Sequence, residues 1–355
     1  MVVEEILIYG AVQGAVYALL ALGYSLVYGV GGILNLSHGA YYLAASYAFY
    51  LTWVIMGGIS GYFMGMILGI IMAIVVATAS YFVIIKPLEE SEISILIGTF
   101  AIGFFLEQLV IVVYDPNFHA IPSIINGYIM GIVLALAAAI FVAMGSFYLL
   151  RKVKRLSMVN RYITIMFALV AGILVGMGIF FSVFEVAGIG FLDFYINILG
   201  IALPIQYIVI IVFSLIVVIL ITFFINKSKI GKSIRAVSQD REAAMLMGIN
   251  ADRTLLYTIM ISAFLAGIAA VLYTPADIVA PYKGWPVLTG AIAVVILGGM
   301  GSLPGSVVGA FIIGYARIIT NYLIDPVYSS LIPVIIIVVI LVIRPRGLFG
   351  KKEIS

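Results

Sequence analysis

The chain has 355 residues, 65% of them hydrophobic and only 9% charged, with a formal net charge of +3 and a mean hydropathy of +1.29. That excludes an ordinary soluble domain, which needs far more polar surface to face water. Cysteine is absent, so disulfides, thiolate metal sites and thiol nucleophiles are excluded, and so small a net charge gives no argument for nucleic acid.

Runs of about twenty mostly apolar residues recur along the whole length, and each can cross a bilayer core of roughly 30 Å. The predicted fold class is all-α, a polytopic transmembrane helical bundle of about 10–11 membrane segments, some short or broken. A β-barrel would show short alternating segments instead. The opening MVVEEILIYG places Glu4 and Glu5 where a signal peptide carries basic residues, so no cleavable signal is expected. Spans are predicted at 6–30, 40–56, 61–85, 93–113, 128–150, 162–184, 204–225, 254–274, 286–300, 304–322 and 328–343. The segment at 286–300 is short enough to be re-entrant or packed inside the bundle.

The first span ends in GVGGILNLSHGA (29–40), a Gly-rich interruption holding Asn35, Ser37, His38 and Gly39. Its counterpart near the other end is GGMGSLPGSVVGA (298–310), with Gly298, Gly299, Gly301, Ser302 and Pro304. Both read G-G-[I/M]-x-x-L. Corresponding interruptions in two halves of a transporter point to broken helices around a transport path, but tight turns between adjacent helices leave the same trace. His38 either makes a helix-terminal hydrogen bond or touches a solute. Gly61, Gly65 and Gly69 recur every four residues, as do Gly301, Gly305 and Gly309, a spacing that lets helix backbones touch.

Glu107, in IGFFLEQLVIVV, is an ionisable group inside a span, costly enough to be a functional candidate. It either lines a polar cavity or pairs with a neighbour such as a tyrosine hydroxyl. No His/Asp/Glu grouping has metal-ligand spacing and no Ser/His/Asp set is evident. No catalytic residue, metal site or bound cofactor is therefore predicted.

Fifteen of the eighteen Lys and Arg fall in three clusters, Arg151–Arg161, Lys227–Arg253 and Arg344–Lys352. An even number of predicted spans separates each cluster from the next, so all three share one face, cytoplasmic by the positive-inside rule. Lys86 falls on that face too. The N-terminus and the YDPNFHAIPS loop (114–123) then fall outside.

The middle cluster occupies the loop 226–253. Its letters G-K-S (231–233) lack a P-loop's first glycine, whose place is held by Asn226, and no βαβ unit is present to hold a nucleotide. In SQDREAAMLMG, Asp240 is a predicted N-cap, Glu242 sits in the first turn where the helix dipole favours an anion, and Gly248 is the C′ terminator. Ala243, Ala244 and Met247 give this short helix a small apolar face for another protein to approach. A solvated cytoplasmic loop is the alternative.

Four segments, in order, resemble the branched-chain amino-acid permeases of ABC importers, specifically the LivH-type subunit. They are GAVYALLALGYSLVYGVGGILNLSHGAYYLAASY (14–47), KPLEESEISILIGTFAIGFFLEQLV (86–110), EAAMLMGINADR (242–253) and LTGAIAVVILGGMGSLPGSVVGAFIIG (288–314). The third is similar to the coupling motif E-A-A-x-x-x-G, though without the I-x-L-P ending of the general form. The resemblance implies a single permease domain over 1–355 with a cytoplasmic coupling loop at 226–253. Residues 128–187 look like an insertion carrying two extra transmembrane helices.

It further implies that Glu242, Ala243, Ala244 and Gly248 dock on an ATPase, with Arg235, Asp240 and Arg241 orienting them at the polar rim. The translocation path would pass Asn35, Ser37, His38, Gly39, Glu107, Gly298, Gly299, Gly301, Ser302 and Pro304. The implied partners are a LivM-like second permease, two ABC ATPase subunits that bind the ATP, and an extracytoplasmic solute-binding protein. The solute would be a branched-chain amino acid or a similar small polar molecule. The rival expectation is an ATPase-independent secondary transporter or channel that uses Glu107, with His38, as an ion site.

Overall fold

A computed structural model of the chain describes residues 2–89, 91–114, 116–121, 195–198, 201–344 and 346–350. The chain divides into two compact units, one formed by Met1–Pro122 with Ile210–Ser355 and the other by Ser123–Val209. The stretch 128–187, with its two expected spans and the Arg151–Arg161 cluster, lies outside the described residues.

The first unit opens with α1 (Val2–Gly31), α2 (His38–Met56) and α3 (Gly58–Ser80), the last extended by a π-helical turn over Tyr81–Ile85, and α4 (Glu92–Val113) follows. In the second unit the described residues form an antiparallel hairpin, β1 (Tyr195–Ile198) and β2 (Ile201–Pro204), in register from Tyr195 opposite Pro204 to Ile198 opposite Ile201. Composition alone did not predict this hairpin; otherwise the described chain is helical. Helix α5 (Ile205–Lys227) follows, then two short helices, α6 (Lys229–Gln239) and α7 (Arg241–Leu246). The remaining helices are α8 (Ala251–Tyr273), α9 (Gly284–Gly298), α10 (Leu303–Leu323), α11 (Pro326–Ser329) and α12 (Ile332–Ile343).

Seven helices among the described residues are long and apolar enough to cross a membrane. Helix α2 has 19 residues, but Tyr41, Tyr42, Tyr47 and Tyr50 lower its hydropathy. The span expected at 328–343 shortens to the 12 residues of α12, roughly 18 Å at 1.5 Å per residue. Pro326 and Pro333 explain this, because each lacks an N–H and opens a new helix instead of continuing one.

The core is built on α1, which packs most extensively against α10 and α8, while α2 packs on α3. Lipid offers no hydrophobic advantage to helix association, so close backbone approach must supply the contact energy. Small residues permit it. A Cβ on Gly314 of α10 would lie 2.5 Å from the Gly14 amide nitrogen of α1. Gly65 and Gly69 of α3 likewise lie against the carbonyls of Phe49 and Ala45 on α2, where an added Cβ would come within 2.9 and 2.8 Å. The four-residue glycine spacing is therefore a packing device here.

Candidate functional site

The loop 226–253 folds into an elbow whose ends are capped by its own side chains. Ser228 Oγ accepts from the Gly231 amide at 2.8 Å to start α6, and Asp240 Oδ1 accepts from the Ala243 amide at 2.9 Å to start α7. Helix α7 ends in a Schellman motif: Ile249 N–H donates to Ala244 O at 3.0 Å and Gly248 N–H to Met245 O at 2.9 Å. Gly248 takes φ +84°, the left-handed conformation that such a cap needs. Gly231, the glycine of G-K-S, serves packing, since a Cβ there would lie 2.2 Å from Ile225 O.

Two ties hold the elbow to the bundle. Arg241 Nη2 bonds the Glu89 carboxylate beyond α3 and lies 3.5 Å from Asp252 Oδ1 at the start of α8. Arg235 Nη1 donates to Asn226 Oδ1 at 2.8 Å. One expectation is corrected at this point. Ala244 does not belong to the outward face; it is buried, on a helix whose pose is held by Arg241 on Glu89. The outward apolar surface is Met245, Leu246 and Met247, with Leu246 and Met247 89% and 83% exposed. Glu242 and Ala243 are exposed beside them.

The residues expected along a path fall into two groups. Asn35, Ser37 and His38 form a closed buried network: Ser37 Oγ donates to Asn35 Oδ1 at 2.6 Å, and Asn35 Nδ2 donates to the Tyr41 hydroxyl at 3.0 Å. His38 Nε2 donates to Leu20 O at 3.1 Å, so its Nδ1 accepts from Ser262 Oγ at 3.2 Å. Leu20 lies eleven residues before the end of α1, roughly 16 Å along the axis. Residues 32–37 therefore double back along α1, and α2 starts inside the bundle. Gly39 then meets α9, where its Cβ would lie 2.3 Å from Gly284 O. Glu107 is buried and, with Trp285, borders a cavity of about 10 Å³ that Gly39 also lines. That volume is at the lower limit for a single water.

The second group caps a helix junction. Gly299 and Gly301 have φ +100° and +79°, Ser302 Oγ accepts from Gly305 N–H at 3.2 Å to start α10, and Pro304 sits in its first turn. Gly298 packs on Gly305, and the C-terminal stretch bonds here too, Phe349 N–H donating to Gly298 O at 3.0 Å. The two Gly-rich segments do meet. A Cβ on Gly29 would lie 3.5 Å from the Gly301 Cα.

A larger polar cavity of about 280 Å³ lies elsewhere, between α1, α8, α9, α10 and α11. Its walls include Gln13, Tyr17, Tyr273, Asp277, Lys283 and Arg317. Lys283 Nζ donates to Asp277 Oδ2 at 2.5 Å, Tyr273 donates to Gln13 Oε1 at 3.2 Å, and Arg317 Nη1 bonds the Tyr17 hydroxyl. None of the residues expected along a path lines it. The missed signal was available: an arginine alone inside an apolar span meets the same criterion that singled out Glu107.

Among known proteins, the family model for the branched-chain amino acid transport system, permease component, matches residues 6–120 and 102–341. The high-affinity branched-chain amino acid transport system permease protein LivH of Salmonella typhimurium is 26% identical over 98% of this chain and 95% of its own length. The corresponding protein BraD of Pseudomonas aeruginosa is 24% identical over 98% and 96%. A more distant similarity, 28% identity over 44% of this chain and 48% of the relative, is to the ribose import permease protein RbsC of Haemophilus influenzae. With family matches that together run from residue 6 to residue 341 and the apolar helices of a multi-pass membrane protein, this chain belongs to the branched-chain amino acid transport system permease family.

Proposed function

We propose that the chain is the transmembrane permease subunit of an ABC importer for leucine, isoleucine, valine or a similar small polar solute. It works with a LivM-like second permease, two ABC ATPase subunits that bind and hydrolyse the ATP, and an extracytoplasmic solute-binding protein. The observation that carries this reading is the elbow of α6 and α7. Large apolar side chains, Leu246 and Met247, stand almost fully exposed between the polar residues Asp240 and Asn250, on a helix anchored by Arg241. Exposed apolar groups on a rigid polar loop suit a protein partner.

In this reading the elbow faces the cytoplasm. The basic residues from Lys227 to Arg253 share one end of the bundle with Arg344 and Arg346, because the Leu348 amide bonds Leu297 O at 2.8 Å and Leu255 lies against Gly31 at the end of α1. The positive-inside rule makes that end cytoplasmic and puts the N-terminus outside. The 280 Å³ cavity then lies in the outward half, near the far ends of α8 and α10. Arg317 is fourteen residues along α10 from Leu303, roughly 21 Å from the elbow's end of that helix.

Exchanging Leu246 for Asp tests the assignment. The variant is expected to reach the membrane at the normal level and to lose co-purification with the ATPase subunits. Undiminished co-purification and ATP-driven uptake would place the docking surface elsewhere.

A further inference from the structure

We infer that the cavity walled by Arg317, Asp277 and Lys283 holds the charged head of a zwitterionic solute, with Arg317 taking its carboxylate. The inference rests on the permease reading above and deepens it, by naming the residues that recognise the solute within the membrane.

The distribution of cations is the first argument. Only Lys86, Lys283 and Arg317 lie outside the three basic clusters, and two of those three meet in this one cavity. A cation inside a bundle is costly and needs an ionic partner or a watery cavity. Lys283 has Asp277. Arg317 touches, among the described residues, the neutral Tyr17 hydroxyl and the face of its ring, 5.8 Å from the ring centre; Asp277, already bonded to Lys283, acts on it only across the cavity, without an ion-pair contact. Its guanidinium carries five N–H donors in a planar fork that matches a carboxylate, and one donor is engaged by Tyr17. A half-buried guanidinium on a cavity wall, with no carboxylate in contact among the described residues, is therefore set to receive an anion from outside the chain.

The rest of the cavity fits the remainder of an amino acid. The first turn of α9 contributes Pro286 and Val287, which brings the positive end of that helix to the same space. Asp277 engages Lys283 through one carboxylate oxygen and leaves the other for an ammonium group. Val16, Leu20, Val287 and Ile318 supply an apolar wall for an aliphatic side chain. The volume of about 280 Å³ is near the lower edge of the roughly 300–1,000 Å³ typical of small-molecule pockets. A neutral sugar or amide would leave Arg317 unpaired, and a site with an unsatisfied charge discriminates strongly.

The test uses the complete importer in proteoliposomes, with L-leucine as the probe and Arg317→Gln and Arg317→Lys as variants. Uptake that requires ATP and the ATPase subunits in the unaltered importer checks the permease reading on its own. Given that, Arg317→Gln is expected to lower L-leucine uptake by about tenfold or more, with subunit assembly retained. Arg317→Lys, which keeps the charge but not the fork, should retain an intermediate rate. Near-normal uptake by Arg317→Gln overturns the inference. So does loss of assembly in both variants, because Arg317 would then be holding the bundle together instead of the solute.

Discussion

At the scale of single residues, burial separates groups that look alike in the sequence. Glu107 and Arg317 are both ionisable side chains within apolar helices. Glu107 borders only about 10 Å³, shared with Trp285, whereas Arg317 faces about 280 Å³. A proton or ion relay through Glu107 would need a connected aqueous route, and a space of one water at most does not provide it. Glu107→Gln, which keeps the side chain's size and an oxygen acceptor, is therefore expected to transport at close to the normal rate, measured as L-leucine uptake in the complete importer. Abolished uptake with intact assembly would revive the ion-site reading. His38 shows the same distinction: its ring is used up between Leu20 O and Ser262 Oγ, a structural role in starting α2 inside the bundle.

At the scale of elements, the elbow of α6 and α7 was the most legible part of the chain. Asp240 and Gly248 announced the start and end of α7, because a cap is a local interaction between neighbours in sequence. The direction of its faces was not legible. Whether Ala244 or Leu246 points outward depends on where Arg241 pins the helix, and its partner Glu89 is far away in sequence. The arginine is about two-fifths exposed, so the pair's value is orientation more than stability. Arg241→Glu is expected to weaken coupling of ATP hydrolysis to uptake, and adding Glu89→Arg should restore part of it. A double variant no better than Arg241→Glu alone would show that the contact does not set the elbow's pose.

At the scale of the whole molecule, hydropathy and basic clusters were enough for the membrane-spanning class, since both are averages over many residues. The polar cavity was not legible, because it needs Gln13, Asp277 and Arg317 from three distant segments, and only the packing of α1 against α8 and α10 brings them together. The same three helices run from the cavity to the end where Leu255, Gly31 and Gly301 surround the elbow's exit. The elbow and the cavity are thus opposite ends of one packed unit, so that on the proposed reading movement of an ATPase docked at the elbow would alter access at the cavity. The most direct measurement is L-leucine uptake into proteoliposomes containing this chain with its second permease, ATPase subunits and binding protein, with ATP supplied on the ATPase side. The account predicts accumulation only when ATP and the ATPase subunits are both present. Accumulation by this chain alone, driven by a proton or ion gradient, would contradict it.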